Sequence, residues 1–210
     1  MSAVRRPRFE RRSADARRES LIDATIGSLM RDGHEGLSVR RIAARAGVSI
    51  GLINHHFPHK DMLVAESYRH FSRRLTDGFR AAVERAPPRP RARLSAFFRA
   101  VFSQPNLDPR VLTAWVVFWG LFRHSPEMRR VHAEEGRGYG ALLASLLAAA
   151  AGGRRRSRAS LRLATIGLTA MLDGLWLEWC LDPQSFRPRE AVALCEDWIR
   201  RWVRDSGDTA

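Results

Sequence analysis

The sequence predicts an all-α protein. Apolar residues recur at spacings of three and four along almost the whole chain, and no segment alternates apolar and polar residues over a useful length. Prolines and glycines divide this pattern into segments of ordinary helix length. With 210 residues, 45% of them apolar, the chain is long enough to bury a core without disulfides or a structural metal.

Capping and breaking residues set the expected helix boundaries. Gly33 ends the first helix, Ser38 and Ser49 cap the second and third, and Pro58 stops the third. The clearest loop is the proline-rich segment 86–93. The expected helices cover residues 16–31, 38–46, 49–57, 60–85, 93–103, 109–123, 126–150, 157–181 and 188–204. The expected buried face of the first helix consists of Leu21, Ile22, Thr25, Ile26 and Leu29.

Composition narrows the class of protein. The formal net charge is +14, which favours a polyanionic partner. Of the 36 basic residues, one is lysine and 35 are arginine, an excess typical of GC-rich genomic composition. Two cysteines, Cys180 and Cys195, are too few for a disulfide framework or a zinc site, so we expect two small buried side chains in a reducing cytoplasm. No apolar stretch suggests a signal sequence or a membrane span.

The segment 43–63 has the spacing of a helix-turn-helix. Ala43 is small where two helices cross, Gly47 stands where the turn requires a positive φ, and Ile53 follows as a core anchor. The helix after Ser49 is then expected to enter the major groove of DNA. We expect DNA contacts from eight residues: Ser38, Ser49, Ile50, Gly51, Asn54, His55, His56 and Lys60.

These contacts fall into two roles. Ser49, His56 and Lys60 are expected to bind phosphates, whereas Asn54 and His55 are candidates for base edges. Because one such helix covers only a few base pairs, two copies must act together, which requires a dimer. The last two long helices each carry an apolar stripe, formed by Leu161, Thr165, Leu168 and Leu172 on one and by Val192, Cys195, Ile199 and Trp202 on the next.

The C-terminal two thirds are rich in aromatic residues. An aromatic wall with a carboxylate nearby suits a quaternary ammonium or another organic cation, although an aromatic stripe at helical spacing also fits plain core packing. An arginine partner would be a structural explanation for Asp173. The expected effector-binding residues are Trp115, Phe118, Trp119, Phe122, Tyr139, Asp173, Trp176 and Trp179.

Three parts of the chain follow from these patterns. Residues 1–15 form a basic arm that we expect to be disordered, and that either touches DNA or remains solvated. Residues 16–66 form the DNA-binding domain, whose last helix continues to about residue 85. Residues 67–210 form the effector-binding and dimerisation domain.

The N-terminal tract resembles a known family. RRESLIDATIGSLMRDGHEGLSVRRIAARAGVSIGLINHHFPHKDML is similar to the DNA-binding domain of TetR-family transcriptional repressors, and AWVVFWGLFRHSPEM with LTAMLDGLWLEWCL resembles the C-terminal domain of BetI-type regulators. Those regulators are choline-responsive repressors of glycine betaine synthesis. The resemblance implies a homodimer joined by the last two long helices, choline as the first effector to test, and release of operator DNA when the effector tilts the linking helix. Asn54 departs from the tyrosine of many members, and Glu178 and Trp179 add an acid and an indole.

Other classes receive less support. The chain has no nucleophile elbow, zincin helix or P-loop, so we expect no enzyme, no cofactor and no metal. The segment GRGYG at 136–140 resembles a nucleotide loop but interrupts a helical pattern with no strand before it. The alternatives within the regulator class are lipophilic, polyamine or drug-like effectors. Outside it, the alternative is a basic protein that binds nucleic acid non-specifically or binds anionic membranes.

Overall fold

A computed structural model describes residues 8–104, 106–152 and 156–205. Every regular element in this described part of the chain is helical, which confirms the predicted fold class. The helices are α1 (Arg8–Asp32), a 3-10 turn (Gly33–Leu37), α2 (Val39–Ala46), α3 (Ile50–His56), α4 (Lys60–Arg85), α5 (Pro90–Val101), α6 (Pro109–Leu121), α7 (Pro126–Ala150), α8 (Arg158–Leu181) and α9 (Pro188–Asp205).

The turns around α2 depend on three glycines. Gly33 and Gly47 have φ values of +58° and +65°, in the left-handed region where a side chain is unfavourable. Gly36 has a different role, because a Cβ there would lie 2.4 Å from the carbonyl oxygen of Ser28. The backbone of the 3-10 turn therefore packs directly on α1 and fixes where α2 begins.

The buried face predicted for α1 is confirmed, but the start of the helix is not. Leu21 and Leu29 are 1% and 0% exposed. The helix begins at Arg8, eight residues before the predicted start, so the second half of the predicted disordered arm is helical. Its arginine, glutamate and alanine residues have high helix propensity and need no apolar face to continue the backbone pattern. Residues 1–7 of the predicted arm lie outside the described residues.

Two serines precede helices of the motif, and only one caps with its side chain. Ser49 Oγ accepts a hydrogen bond of 3.2 Å from the backbone N–H of Leu52, as predicted. Ser38 occupies the N-cap position of α2, but its hydroxyl makes no capping bond. The predicted position of Ser38 at the N-terminus of α2 is therefore confirmed, whereas the predicted capping hydrogen bond from its side chain is not formed.

Proline and glycine segments in the C-terminal part are more helical than predicted. The loop expected to span residues 86–93 ends at Arg89, because Pro90 occupies the first turn of α5, where its missing N–H has no intrahelical partner to lose. The segment GRGYG lies inside α7, so it is helix and not a nucleotide loop. Ser157 caps α8, since its Oγ accepts a hydrogen bond of 3.1 Å from the backbone N–H of Ser160.

The described residues form two compact units. The first contains residues up to Phe71 together with Thr113–His132, and the second contains Ser72–Leu112 together with the residues from Ala133 onward. Tyr68 and Phe71 lie in the first unit, where their rings are 5.3 and 5.8 Å from that of Phe118.

In the second unit, α8 buries the face that was predicted to form the dimer contact. Leu168 and Leu172 are 0% and 2% exposed, and Cys195 on α9 is 0% exposed. The opposite face of α8 is apolar as well, and it lies open in this chain. Its large members are Leu163, Ile166, Leu177 and Leu181, which are 63, 50, 41 and 73% exposed. Because α8 is apolar on both sides, periodicity alone does not determine which face is buried within the chain.

Candidate nucleic-acid interface and effector site

The short helix α3 has one buried and one exposed face. Ile53 and Phe57 are 2% and 1% exposed and hold α3 against the core of the first unit. Ile50 is 41% exposed, and the exposed face also carries Gly51, Asn54 and His55. A rigidly anchored helix with a free polar face is what direct contact with base edges requires.

A network behind α3 fixes its C-terminal end. The guanidinium of Arg18 lies 4.8 Å from the centroid of the Phe57 ring and forms an ion pair of 3.3 Å with Glu66 on α4. Glu66 also accepts a hydrogen bond from Arg69. Arg18 therefore links α1, the end of α3 and α4.

The predicted phosphate contacts all lie on accessible surface, but they differ electrostatically. Lys60 is the first residue of α4 and is exposed, as is Ser49. Ser38 is exposed too, and its hydroxyl is not engaged in capping. His56 is half-buried, and partial burial lowers its pKa below 6.5, with further lowering by the charges of His55, Arg17 and Arg18. Near neutral pH, His56 is therefore an uncharged donor.

Sequence analysis missed two arginines on α2. Arg40 and Arg45 are exposed, and neither has an acidic partner among the residues described. Arg41 differs, because Glu35 and Asp32 lie 3.1 and 3.7 Å from its guanidinium. An exposed arginine without an acidic partner is a candidate phosphate contact, and the arginine excess of the whole chain makes such a residue hard to single out from the sequence.

Gly51 is not explained by packing within the chain. A Cβ at this position would meet only Ser49 Oγ at 3.8 Å, which is ordinary contact. Glycine weakens a helix by about 1 kcal/mol relative to alanine. The chain therefore carries this cost on the exposed face of α3 for a reason outside its own fold.

Half of the predicted effector residues lie in an aromatic cluster of the first unit. Tyr68 is at its centre, 2% exposed, and its hydroxyl lies 2.8 Å from Nδ1 of His132. Trp115, Trp119 and Phe122 are half-buried around this cluster, and Phe122 stacks on His132 at 4.2 Å. Phe118 is 0% exposed, so its ring is core and offers no surface to a ligand. Tyr68, Phe71 and His132 were missed because they lie on α4 and α7, outside the aromatic stretch of α6.

The other half lies in the second unit. Tyr139 packs against Phe79 and Phe97, with ring centroids 6.5 and 6.2 Å apart. Water reaches Asp173, yet the surrounding protein removes enough hydration to raise the pKa of its carboxyl group to about 6. Burial, and next to it the charge of Asp173, raises the pKa of Tyr139. The charge of Asp173 on α8 therefore affects the ionisation of Tyr139 on α7.

The sequence analysis left open that Asp173 pairs with an arginine. No arginine among the described residues forms an ion pair with it. Trp176 and Trp179 are 7% and 9% exposed, so they are mainly packing residues of α8. Burial raises the pKa of Cys195 to about 12, in agreement with the predicted small buried side chain, whereas Cys180 is only half-buried. The described residues contain no cluster suited to a metal ion, and no helix among them is long and apolar enough to cross a membrane.

Comparisons with known proteins decide the family. Residues 21–66 match the model of bacterial regulatory proteins of the TetR family, and residues 90–204 match the BetI-type transcriptional repressor C-terminal model. The chain belongs to the TetR family of transcriptional regulators. Its C-terminal domain is of the BetI type, so the family resemblance inferred from the sequence is confirmed over both halves.

Relatives cover nearly the whole of this TetR-family chain. The HTH-type transcriptional regulator BetI of Paraburkholderia phymatum is 34% identical over 88% of this chain and 92% of that protein. BetI of Burkholderia thailandensis is 36% identical over the same shares. The relatives are named as transcriptional regulators and not as enzymes.

Solved structures agree with this assignment. A putative transcriptional regulator from Pseudomonas aeruginosa PAO1 is 45% identical, with a TM-score of 0.82 over 93% of this chain and 94% of that one. A putative regulator from Saccharomonospora viridis, solved in complex with choline, has a TM-score of 0.74 over 87% of this chain and 95% of that one. At 18% identity, the second structure supports the fold alone.

Proposed function

We propose that this TetR-family regulator binds operator DNA as a homodimer and is released by an organic cation, with choline as the first candidate. The observation that carries the DNA-binding half is the exposed face of α3, held in place by the buried Ile53 and Phe57. The observation that carries the effector half is the carboxylate of Asp173, which has no ion-pair partner among the described residues and whose charge contributes to the raised pKa of Tyr139.

Within the DNA interface, Asn54 and His55 are the residues proposed to contact bases. An amide pairs bidentately with adenine, and an imidazole donates or accepts a hydrogen bond. The close approach of the DNA backbone accounts for the glycine at position 51. The residues proposed to contact phosphates are Ser38, Arg40, Arg45, Ser49, His56 and Lys60.

The homodimer is proposed to form through the open face of α8, together with α9. Leu163, Ile166 and Leu181 share one face with the small residues Ala170 and Gly174, which allow close helix approach. On α9, Leu194 is 55% exposed and extends the apolar surface. This surface differs from the one first predicted, of which Leu168, Leu172, Cys195 and Ile199 are buried within the chain itself.

The effector proposal depends on charge and aromatic surface together. A desolvated carboxylate is unfavourable for the free protein, and a bound cation would relieve this cost. Aromatic faces add cation–π attraction for a quaternary ammonium group. Choline is suggested by the curated BetI relatives and by the choline complex of the structural neighbour. Because α4 belongs partly to each unit, it is the proposed route by which the ligand lowers operator affinity.

The proposal is tested by a mobility-shift assay on the DNA upstream of the gene, with and without choline. We expect a salt-resistant complex with the operator, no comparable complex with random duplex, and loss of the operator complex on addition of choline. Equal affinity for both duplexes would contradict the DNA-binding half. Release by a polyamine or a lipophilic compound, but not by choline, would contradict the proposed effector and leave the DNA-binding half standing.

Asp173→Asn separates effector binding from folding. The pKa of Asp173 in the folded protein is about 6, above its ordinary value of 3.8. Ionisation of Asp173 therefore lowers the stability of the folded state as the pH rises from 3.8 to about 6, and this loss persists at all higher pH. We therefore expect the variant to melt at a higher temperature than the wild type at neutral pH, while losing its response to choline. Asp77→Asn is the matched control, since Asp77 is exposed and pairs with Arg80. A variant that melts lower, or that still responds to choline, contradicts the role of Asp173.

A further inference from the structure

A groove of the second unit lies between α5, the end of α7 and α9, and it contains none of the predicted effector residues. Its deeper part has a volume of about 320 Å³, within the usual range for small-molecule pockets. Leu94, Phe98 and Ile199 lie beneath its floor and are only 3, 0 and 6% exposed, so the accessible apolar surface comes mainly from the half-buried Ala92, Ala150 and Val203. A shallower part of about 680 Å³ shares Arg91, Ala92, Ala150 and Val203 with it, so the two are continuous.

The polar residues of this groove are mainly cationic. Four arginines line its two parts, against one carboxylate, that of Glu196: Arg89, Arg91, Arg200 and Arg204. Of the four, Arg200 pairs with Asp197 at 3.3 Å. Arg89, Arg91 and Arg204 are exposed and have no acidic partner among the described side chains. An apolar floor with unpaired guanidinium groups is complementary to an amphipathic anion.

The first turn of α5 reinforces this positive charge. Its N-cap residue is Arg89, whose side chain makes no capping bond. The amides of Arg91 and Ala92 therefore have no acceptor in the described chain, and both residues line the groove. A carboxylate bound by Arg91 would also lie near the positive end of the helix dipole.

We propose that this groove binds a medium-chain aliphatic carboxylate, with the hydrocarbon chain against Ala92, Ala150 and Val203 and the carboxylate at Arg91. The site has the opposite charge preference to the proposed effector site. It is independent of that proposal, because no residue is shared between them.

The groove also stays open in the proposed dimer. At 100° per residue, Glu196, Arg200 and Val203 lie on the side of α9 opposite Leu194. A partner that covers Leu194 therefore leaves these residues accessible, and the ligand has access in the assembled protein.

The test is isothermal titration of the full-length protein with decanoate below its micelle concentration. We expect saturable binding of one decanoate per chain, and much weaker binding of decanol, which has the same chain without the charge. Arg91→Ala is expected to weaken decanoate binding by about tenfold or more. Arg137→Ala is the matched control, since Arg137 is exposed, lies in the same unit and does not line the groove.

Two further measurements keep the outcome specific. Ala92→Trp fills the groove and should abolish decanoate binding without lowering the melting temperature, whereas Asp173→Asn should leave it unchanged. The proposal is overturned if decanoate does not saturate, if decanol binds equally well, or if Arg91→Ala and Arg137→Ala behave alike. Binding to phosphatidylglycerol vesicles without binding of monomeric decanoate would overturn it too, since the groove would then be part of a membrane-binding surface.

Discussion

The helices α3 and α8 each bury one face and expose the other, but their exposed faces differ in kind. On α3 the exposed residues other than Ile50 are polar or small and include Asn54 and His55, whereas the open face of α8 carries large aliphatic residues, from Leu163 to Leu181. An exposed polar face fits base edges and phosphates, and an exposed aliphatic face fits a second protein surface. The exposed faces of α3 and α8 are therefore suited to two different kinds of binding partner.

The largest effect is expected from a charge on the aliphatic face of α8. Leu163→Arg places a cation where two copies of α8 would meet, which removes apolar burial and leaves a charge to desolvate. We expect the variant to be monomeric by light scattering and to lose about a hundredfold or more in operator affinity, because one recognition helix must then bind alone. Val116→Arg is the control, since Val116 is an exposed apolar residue on α6. A dimeric Leu163→Arg protein would contradict the assigned interface.

The next effect concerns the polar face of α3. Asn54→Ala and His55→Ala are each expected to weaken operator binding by about 1–3 kcal/mol, because each removes a base contact. Binding to random duplex should stay nearly the same, and the melting temperature should not fall, since both residues are exposed. Fluorescence anisotropy with the two duplexes measures both quantities. Equal losses on both would assign these residues to phosphates.

A smaller and more general loss is expected at the start of α4. Lys60→Ala removes one phosphate contact, so it should weaken all sequences alike and lower the slope of log affinity against log salt by about one. Asp61→Ala is the neighbouring control, and it should not lower that slope. A Lys60→Ala loss confined to the operator would give Lys60 a role in sequence recognition.

The smallest effect is a pH dependence from His56. Its pKa is lowered in the free protein, mainly by partial burial and then by the neighbouring positive charges. A phosphate next to the ring would raise that pKa, so DNA binding takes up a proton and affinity should rise as the pH falls from about 7.5 to about 6. His56→Gln should reduce the steepness of this dependence. An unchanged slope would place His56 away from the phosphates.

The turn and capping residues made the helix-turn-helix predictable from the sequence. Gly47, Ser49 and Ile53 each satisfy a separate constraint, and their spacing determines which residues of α3 face outward. The buried face of α8 was not predictable in the same way, since both of its sides are apolar and only the burial of residues such as Leu168 and Leu172 distinguishes them. The aromatic cluster around Tyr68 depends on contacts between distant segments, which no local pattern encodes. Asp173 was identified as a candidate from its type, but its raised pKa depends on the three-dimensional environment.

The position of Lys60 has a practical consequence. It is the chain's single lysine, it is exposed, and it begins the helix that follows the recognition helix. Amine-reactive reagents therefore have a single lysine side chain as their target within this sequence. A dye attached there would report on DNA occupancy directly, and acetylation there would remove a positive charge from the surface that is proposed to contact the duplex.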